Sequence, residues 1–187
     1  ELSQRLGNIG QSTATGLELE VQYAATENLN LFGTLGLIDS SFKEVNSFDQ
    51  EGNPIDITDD FTITNTPDTT ANVGFTYDIE SSIGDFVVNG NYYYRSEYDL
   101  NVTDNLLTQD GYGLLNFGVN WYSNDGNWTA ALHWKNIADE EYLVGNYAFL
   151  GEQNPDGSYQ PGLGGDTTLI GYYGDPQTVA LTIGYTF

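Results

Sequence analysis

His133 is the only histidine in the chain, and neither cysteine nor methionine accompanies it. Zinc sites draw three or four ligands from cysteine, histidine and carboxylate side chains, so a lone imidazole with no thiolate builds no such site. A structural or solvated role is expected of it. Nucleophilic catalysis would need a hydroxyl or carboxylate held beside a base, and no spacing in the sequence brings such a pair together. The adjacent carboxylates Asp59-Asp60 and Glu140-Glu141 fall at expected turns or strand ends, where solvent satisfies them. Residues 49–56 and the stretch Asn154-Pro155-Asp156-Gly157 offer oxygen donors suited to Ca²⁺, yet neither carries the Asp-x-Asp-x-Asp-Gly spacing with a glutamate at position twelve. Their Pro, Asp, Asn and Gly supply turn dihedrals instead. The sequence therefore indicates no enzyme, names no catalytic, metal or cofactor residue, and leaves ligand-contacting residues unassigned.

Charge narrows the partners. The 187 residues carry 4 Lys plus Arg against 27 Asp plus Glu, a formal net charge of −23 at pH 7. Neutralising phosphates requires the opposite sign, so nucleic acid is not an expected partner. The acidic groups are read as solubilising loops and a water-filled interior. The start, Glu1-Leu2-Ser3-Gln4, has neither an initiator methionine nor a signal-peptide pattern, which reads as a processed or excised piece.

The elements that must carry these groups alternate with a period of two. Val179, Leu181, Ile183, Tyr185 and Phe187 point one way and Ala180, Thr182, Gly184 and Thr186 the other, ending the chain on an aromatic residue. A strand of this length, apolar on one face and small or polar on the other, matches the roughly 9–11 residues that cross a bilayer at a tilt. No apolar run approaches the roughly 20 residues of a membrane helix, so spanning requires a closed barrel in which every backbone group is paired. Similar alternation covers residues 17–23, 29–37, 73–79, 86–95, 115–121 and 128–134, with weaker strands at 57–65 and up to about 149. Thr26-Glu27-Asn28, Thr66-Pro67-Asp68 and Asn124-Asp125-Gly126 mark turns, and residues 43–56, 101–111 and 150–166 read as loops. This gives an all-β, antiparallel transmembrane barrel with about nine strands in view. Such barrels have an even strand count, so a larger barrel is implied. Tyr92, Tyr93, Tyr94, Tyr98, Tyr142 and Tyr147, with Tyr172 and Tyr173, sit near strand ends as an interfacial girdle would.

Five pieces in order resemble the carboxy-terminal end of TonB-dependent outer-membrane receptors. They are Gly16-Leu17-Glu18-Leu19-Glu20, Asn65-Thr66-Pro67-Asp68-Thr69-Thr70-Ala71, Lys135-Asn136-Ile137-Ala138-Asp139-Glu140-Glu141-Tyr142, Tyr173-Gly174-Asp175-Pro176-Gln177-Thr178-Val179, and the terminal Phe187. One departure is Gln177, where the family commonly carries arginine. The resemblance makes residues 1–187 the carboxy-terminal portion of a barrel of about 22 strands, without the plug domain. It implies TonB-driven import of a large nutrient such as a ferric siderophore, cobalamin or a saccharide. The implied location is the bacterial outer membrane. The implied partners are outer-membrane lipid and lipopolysaccharide, the rest of the barrel and its plug, the TonB system through the parent protein, and the barrel-assembly machinery through the strand ending at Phe187.

With Phe187 at the periplasmic rim, counting crossings backwards puts residues 150–166 outside, 136–141 in the periplasm, Asp125-Gly126 outside, Pro67 in the periplasm and 43–56 outside. Residues 101–111 are then long for a periplasmic turn. The alternative is a free-standing small outer-membrane barrel acting as a passive pore, adhesin or anchor, to be recognised by a self-closing sheet. A soluble acidic sandwich that binds carbohydrate would instead need the apolar faces to meet each other.

Overall fold

The structure is a computed structural model and describes residues 10–48, 51–102, 107–149, 151, 154, 160 and 168–187. In chain order the strands are β1 (Gly10–Ala24), β2 (Leu29–Phe48), β3 (Pro54–Asp56), β4 (Thr69–Ile79), β5 (Asp85–Arg95), β6 (Tyr98–Asp99), β7 (Thr108–Gln109), β8 (Tyr112–Tyr122), β9 (Trp128–Lys135), β10 (Leu143–Phe149), β11 (Thr168–Tyr173) and β12 (Thr178–Tyr185). The main sheet runs β1-β2-β4-β5-β8-β9-β12, with β3 folded back on β2, and β6-β7 and β10-β11 form separate two-stranded ribbons. Every pairing is antiparallel.

The register carries the alternation across the sheet. One apolar row runs Leu19 to Leu35 to Ala71 to Tyr94, and another links Val88, Val119, Leu132 and Leu181. Because side chains alternate strictly, pairing these positions gathers most of the large apolar groups on one face and puts Glu18, Asn72, Asn91, Asn116 and His133, with Phe32, Tyr93 and Leu114 among them, on the other. That apolar face is uncovered by protein: Leu17 is 62% exposed, Val73 54% and Leu181 68%. Among the described residues the buried apolar side chains are Val45 in the far part of β2, Tyr98 and Leu100 in and after β6, and Tyr112 at the start of β8, all towards one end of the sheet. The chain thus packs its small core at one end of the sheet and leaves its largest hydrophobic surface bare, the reverse of a soluble domain.

The sheet has two unlike ends. At one end lie three tight turns. Thr26 Oγ1 accepts the N–H groups of Asn28 and Leu29 at 3.2 and 3.0 Å. Ser81 Oγ donates to Gly84 O at 2.6 Å, and Gly84 holds φ +127° against Trp121, whose indole donates to Ile83 O. Asp125 accepts from Ser123 and from the Asn127 N–H, which hold its carboxyl below the ordinary carboxylate value, and Gly126 takes φ 73°. The Thr186 N–H donates to Asn127 O, so the last residues share this end. At the other end are the described parts of the long connections from β2 to β4, from β5 to β8 and from β9 to β12.

This arrangement corrects the crossing count drawn from the sequence. Residues 57–65 are no strand: Asp56 accepts both the backbone N–H and the hydroxyl of Thr58, which tightens Thr58–Asp60 into a 3-10 turn, and Asn65 then takes φ 55°. Nor does β10 join the wall, because it pairs with β11 while β9 pairs directly with β12. Two crossings therefore vanish. Residues 43–56 keep their expected end, but Pro67 and residues 136–141 move to the long-loop end, and Asp125-Gly126 moves to the end that holds Phe187. The described part of 101–111, awkward as a short-side turn, lies at the long-loop end, where β7 pairs with β6. Residues 43–56 are also less a loop than expected, since β2 continues to Phe48 and β3 returns along it. Apart from 151, 154 and 160, the expected loop 150–166 lies outside the described residues.

Candidate functional site: the polar face and its loop-end pocket

On the polar face, Glu18, Gly36, Thr70, Arg95 and Tyr112 stand in one cross-strand row from β1 to β8. Gly36 contributes no side chain, and a Cβ there would meet Thr70 Oγ1 at 2.7 Å, so the row dips into a trough in its middle. The trough opens into a pocket of about 620 Å³ lined by Glu18, Asn65, Thr70, Tyr93 and Arg95 among others, a size that admits a small-molecule ligand. Pro67, also on its wall, is buried.

Arg95 is held from two sides. Its Nη2 donates to Asn65 O at 3.3 Å, and its guanidinium carbon lies 4.4 Å from the centre of the Tyr98 ring. Tyr98, from β6, donates its hydroxyl to Leu143 O at 2.9 Å, while Tyr112 stacks on Tyr142 with centroids 4.5 Å apart. Gln109 Oε1 accepts the Leu143 N–H at 2.6 Å. These contacts staple the β6-β7 ribbon to the start of β10.

Burial pushes the Tyr98 phenol up to about 12, with Tyr112 adding to the shift. A folded value raised above the ordinary 10.0 means the unfolded chain loses this proton first. The stabilisation is therefore complete below pH about 10 and falls as pH rises through about 12. Phenolate absorbance during alkaline titration should include a step near pH 12 for Tyr98, and Tyr98→Phe should remove that step.

A second feature is a head-to-tail chain of asparagines. Asn91 Nδ2 donates to Asn72 Oδ1 at 2.9 Å, Asn116 Nδ2 to Asn91 Oδ1 at 3.3 Å, and the Asn136 N–H to Asn116 Oδ1 at 3.0 Å. Asn136 is 3% exposed. Its Nδ2 donates to Glu140 O and Asp175 O, at 2.9 and 3.1 Å, and its Oδ1 accepts the Glu140 N–H. Asn91, Asn116 and Asn136 each both donate and accept, which polarises the chain cooperatively. From Asn136 the ties continue: the Gln177 N–H donates to Asp139 Oδ1, Gln177 Nε2 to Ile137 O, and the Gly174 N–H to Tyr142 O. Residues 136–142 and 174–178 therefore clasp one another where β9 hands over to β12.

A family model described as "TonB dependent receptor-like, beta-barrel" matches residues 2–137. The chain belongs to the TonB-dependent receptor family. Solved TonB-dependent receptor barrels share its fold. The ferric yersiniabactin uptake receptor FyuA from Yersinia pestis aligns with TM-score 0.70 and 18% identity over 96% of this chain and 24% of that one. The siderophore receptor PiuA from Acinetobacter baumannii aligns with TM-score 0.68 and 16% identity over 95% of this chain and 22% of that one. BauA, the ferric preacinetobactin receptor from Acinetobacter baumannii, aligns with TM-score 0.61 and 20% identity over 94% and 22%. No curated protein matches the chain in sequence. The described piece spans less than a quarter of these receptors, as a partial wall of an antiparallel barrel. The family is one of receptors and transporters.

Within the receptor barrel the five motif pieces acquire different roles. The piece at 136–142 is a loop-end clasp and not a short-side turn. Gln177, which departs from the family's arginine, anchors that clasp through its amide. His133 is half-buried on the polar face opposite Gly118 and Ala180, and among the described residues no group of three metal-capable side chains forms. Asp59 and Asp60 are exposed on the 3-10 turn, and Glu141 is exposed beside the clasp. Asp49, Pro155, Asp156 and Gly157, from the oxygen-rich stretches, lie outside the described residues. Sequence reasoning singled out neither Arg95 nor Tyr98, Tyr112 and the asparagine chain as a constellation. The one available signal was phase: Asn72, Asn91 and Asn116 all fall on the polar half of their alternation.

Proposed function

We propose that these residues form the carboxy-terminal wall of an outer-membrane receptor that imports a ferric siderophore, or a nutrient of similar size, powered by TonB through the parent protein. The observation that carries this reading is the unbroken apolar face across seven strands, backed by a polar face with a pocket at its long-loop end. Lipid covers the first and water the second. Periplasmic turns are short and outer loops long, so the end with the turns at 25–28, 80–84 and 123–127 faces the periplasm and the pocket faces outwards. β1 and β12 each keep one edge without a partner strand among the described residues. Unpaired edges in hydrocarbon cost several kcal/mol per backbone group, which favours a larger wall over a small free-standing pore. The rest of the barrel, with its plug, supplies those partners. The last strand and Phe187 present the alternating aromatic end that barrel assembly uses.

The test is uptake. Cells lacking the parent gene should lose accumulation of an iron-55-labelled chelate under iron limitation, and loss of TonB should abolish the same accumulation. Uptake unaffected by TonB would point to a passive pore instead.

A further inference from the structure

We propose that Arg95 recognises anionic oxygen, carboxylate or phenolate, on the iron chelate that enters the loop-end pocket. The inference rests on the uptake reading above and adds a charge preference to it. Of the cationic residues described, Lys43 and Lys135 are exposed on strands, and Arg95 alone lines the pocket. Its five N–H donors are poorly used. One donates to Asn65 O at the long distance of 3.3 Å, Nε is buried with no acceptor, and no carboxylate pairs with it among the described residues. Tyr98 stacked against the guanidinium fixes its plane without satisfying any in-plane donor. A planar guanidinium held this way fits two parallel N–H···O bonds to a carboxylate or a catecholate, which is the strong geometry for arginine.

The nearest opposing charge in the same row is Glu18. It stands three strand spacings from Arg95, about 14 Å between backbones at ~4.8 Å per strand. Separation beyond the Debye length of about 8 Å leaves its repulsion of an anion at Arg95 weak. Gly36 and Thr70 fill the interval with little side-chain bulk, so the trough has room for a chelate against the Arg95 wall.

The experiment measures binding of four ferric complexes to the purified intact receptor: citrate, a tris-catecholate, an uncharged trihydroxamate and a cationic trihydroxamate. The wild type should bind an anionic complex most tightly. Arg95→Gln should weaken that complex by about tenfold or more while leaving the uncharged one within about twofold, and Arg95→Lys should retain part of the preference. Three outcomes overturn the inference alone: binding without charge preference, preference for the cationic complex, or an Arg95→Gln loss shared equally by all complexes, which marks a purely structural arginine. Binding of none of the four overturns the uptake reading and this inference together.

Discussion

Lysine placed at Leu181 should destabilise the folded receptor by about 2–4 kcal/mol, whereas lysine at Thr182, the next residue, should cost little. Leu181 lies near the middle of β12, opposite Leu132, on the face that no protein covers; Thr182 lies opposite Ala131 on the polar face. Backbone and strand are shared, so the difference isolates the medium that each side chain meets. A charge at mid-depth must be dragged from hydrocarbon toward the interface, while a charge in the lumen stays hydrated and, with a net charge of −23, finds many carboxylates. Urea titrations of folding into lipid vesicles measure both. Equal tolerance at the two positions would remove the lipid assignment.

The second large effect is expected at Asn136. Asn136→Ala deletes the acceptor of the Glu140 N–H and the donor to the Glu140 and Asp175 carbonyls, and forces alanine to hold φ 47°. Stranded partly buried polar groups cost about 1–3 kcal/mol each and the left-handed backbone about 1–2 more, so a local loss on the order of 3 kcal/mol or above follows. The wall strands do not depend on this residue, so the damage should be confined to the clasp between residues 136–142 and 174–178. Limited proteolysis should cut the variant there while the barrel retains its heat-resistant migration on gels. Asn136→Gly, which loses the same side-chain hydrogen bonds but holds the left-handed backbone without strain, should fall between the wild type and Asn136→Ala. Unchanged protease resistance in Asn136→Ala would show that the clasp is held elsewhere.

The parts of this architecture legible in the sequence are those fixed by one strand at a time. Alternation in Val179 to Phe187, or in Leu115 to Trp121, encodes a two-faced strand whatever its neighbour, and Asp125-Gly126 encodes its turn within a few residues. Which strand pairs with which is not a local property. Residues 143–149 satisfy a wall pattern as well as a ribbon pattern, and only the direct register of Thr178 with Lys135 decides between them. The 57–65 segment misled for the opposite reason, because one side-chain acceptor, Asp56, overrides the weak strand pattern that follows it. The two extra crossings cancel in the count, so residues 43–56 keep their end of the sheet relative to Phe187. The pocket was illegible because its members come from distant segments: Arg95 meets Asn65 30 positions away, and Tyr98 meets Leu143 45 positions away. No spacing rule reaches that far without a register.

The central claim is that one wall crosses the outer membrane with its long connections outside and its tight turns in the periplasm. Because residues 1–187 contain no cysteine, single cysteines can report it in an otherwise cysteine-free intact receptor. Glu51→Cys and Glu141→Cys mark the long-loop end, and Glu27→Cys and Ser82→Cys mark the tight-turn end, all at exposed positions. A membrane-impermeant maleimide added to whole cells should label the first pair at once and the second pair only after the outer membrane is opened. Labelling of the second pair in intact cells, with the first protected, would contradict the orientation, and equal labelling of all four would contradict the membrane wall itself.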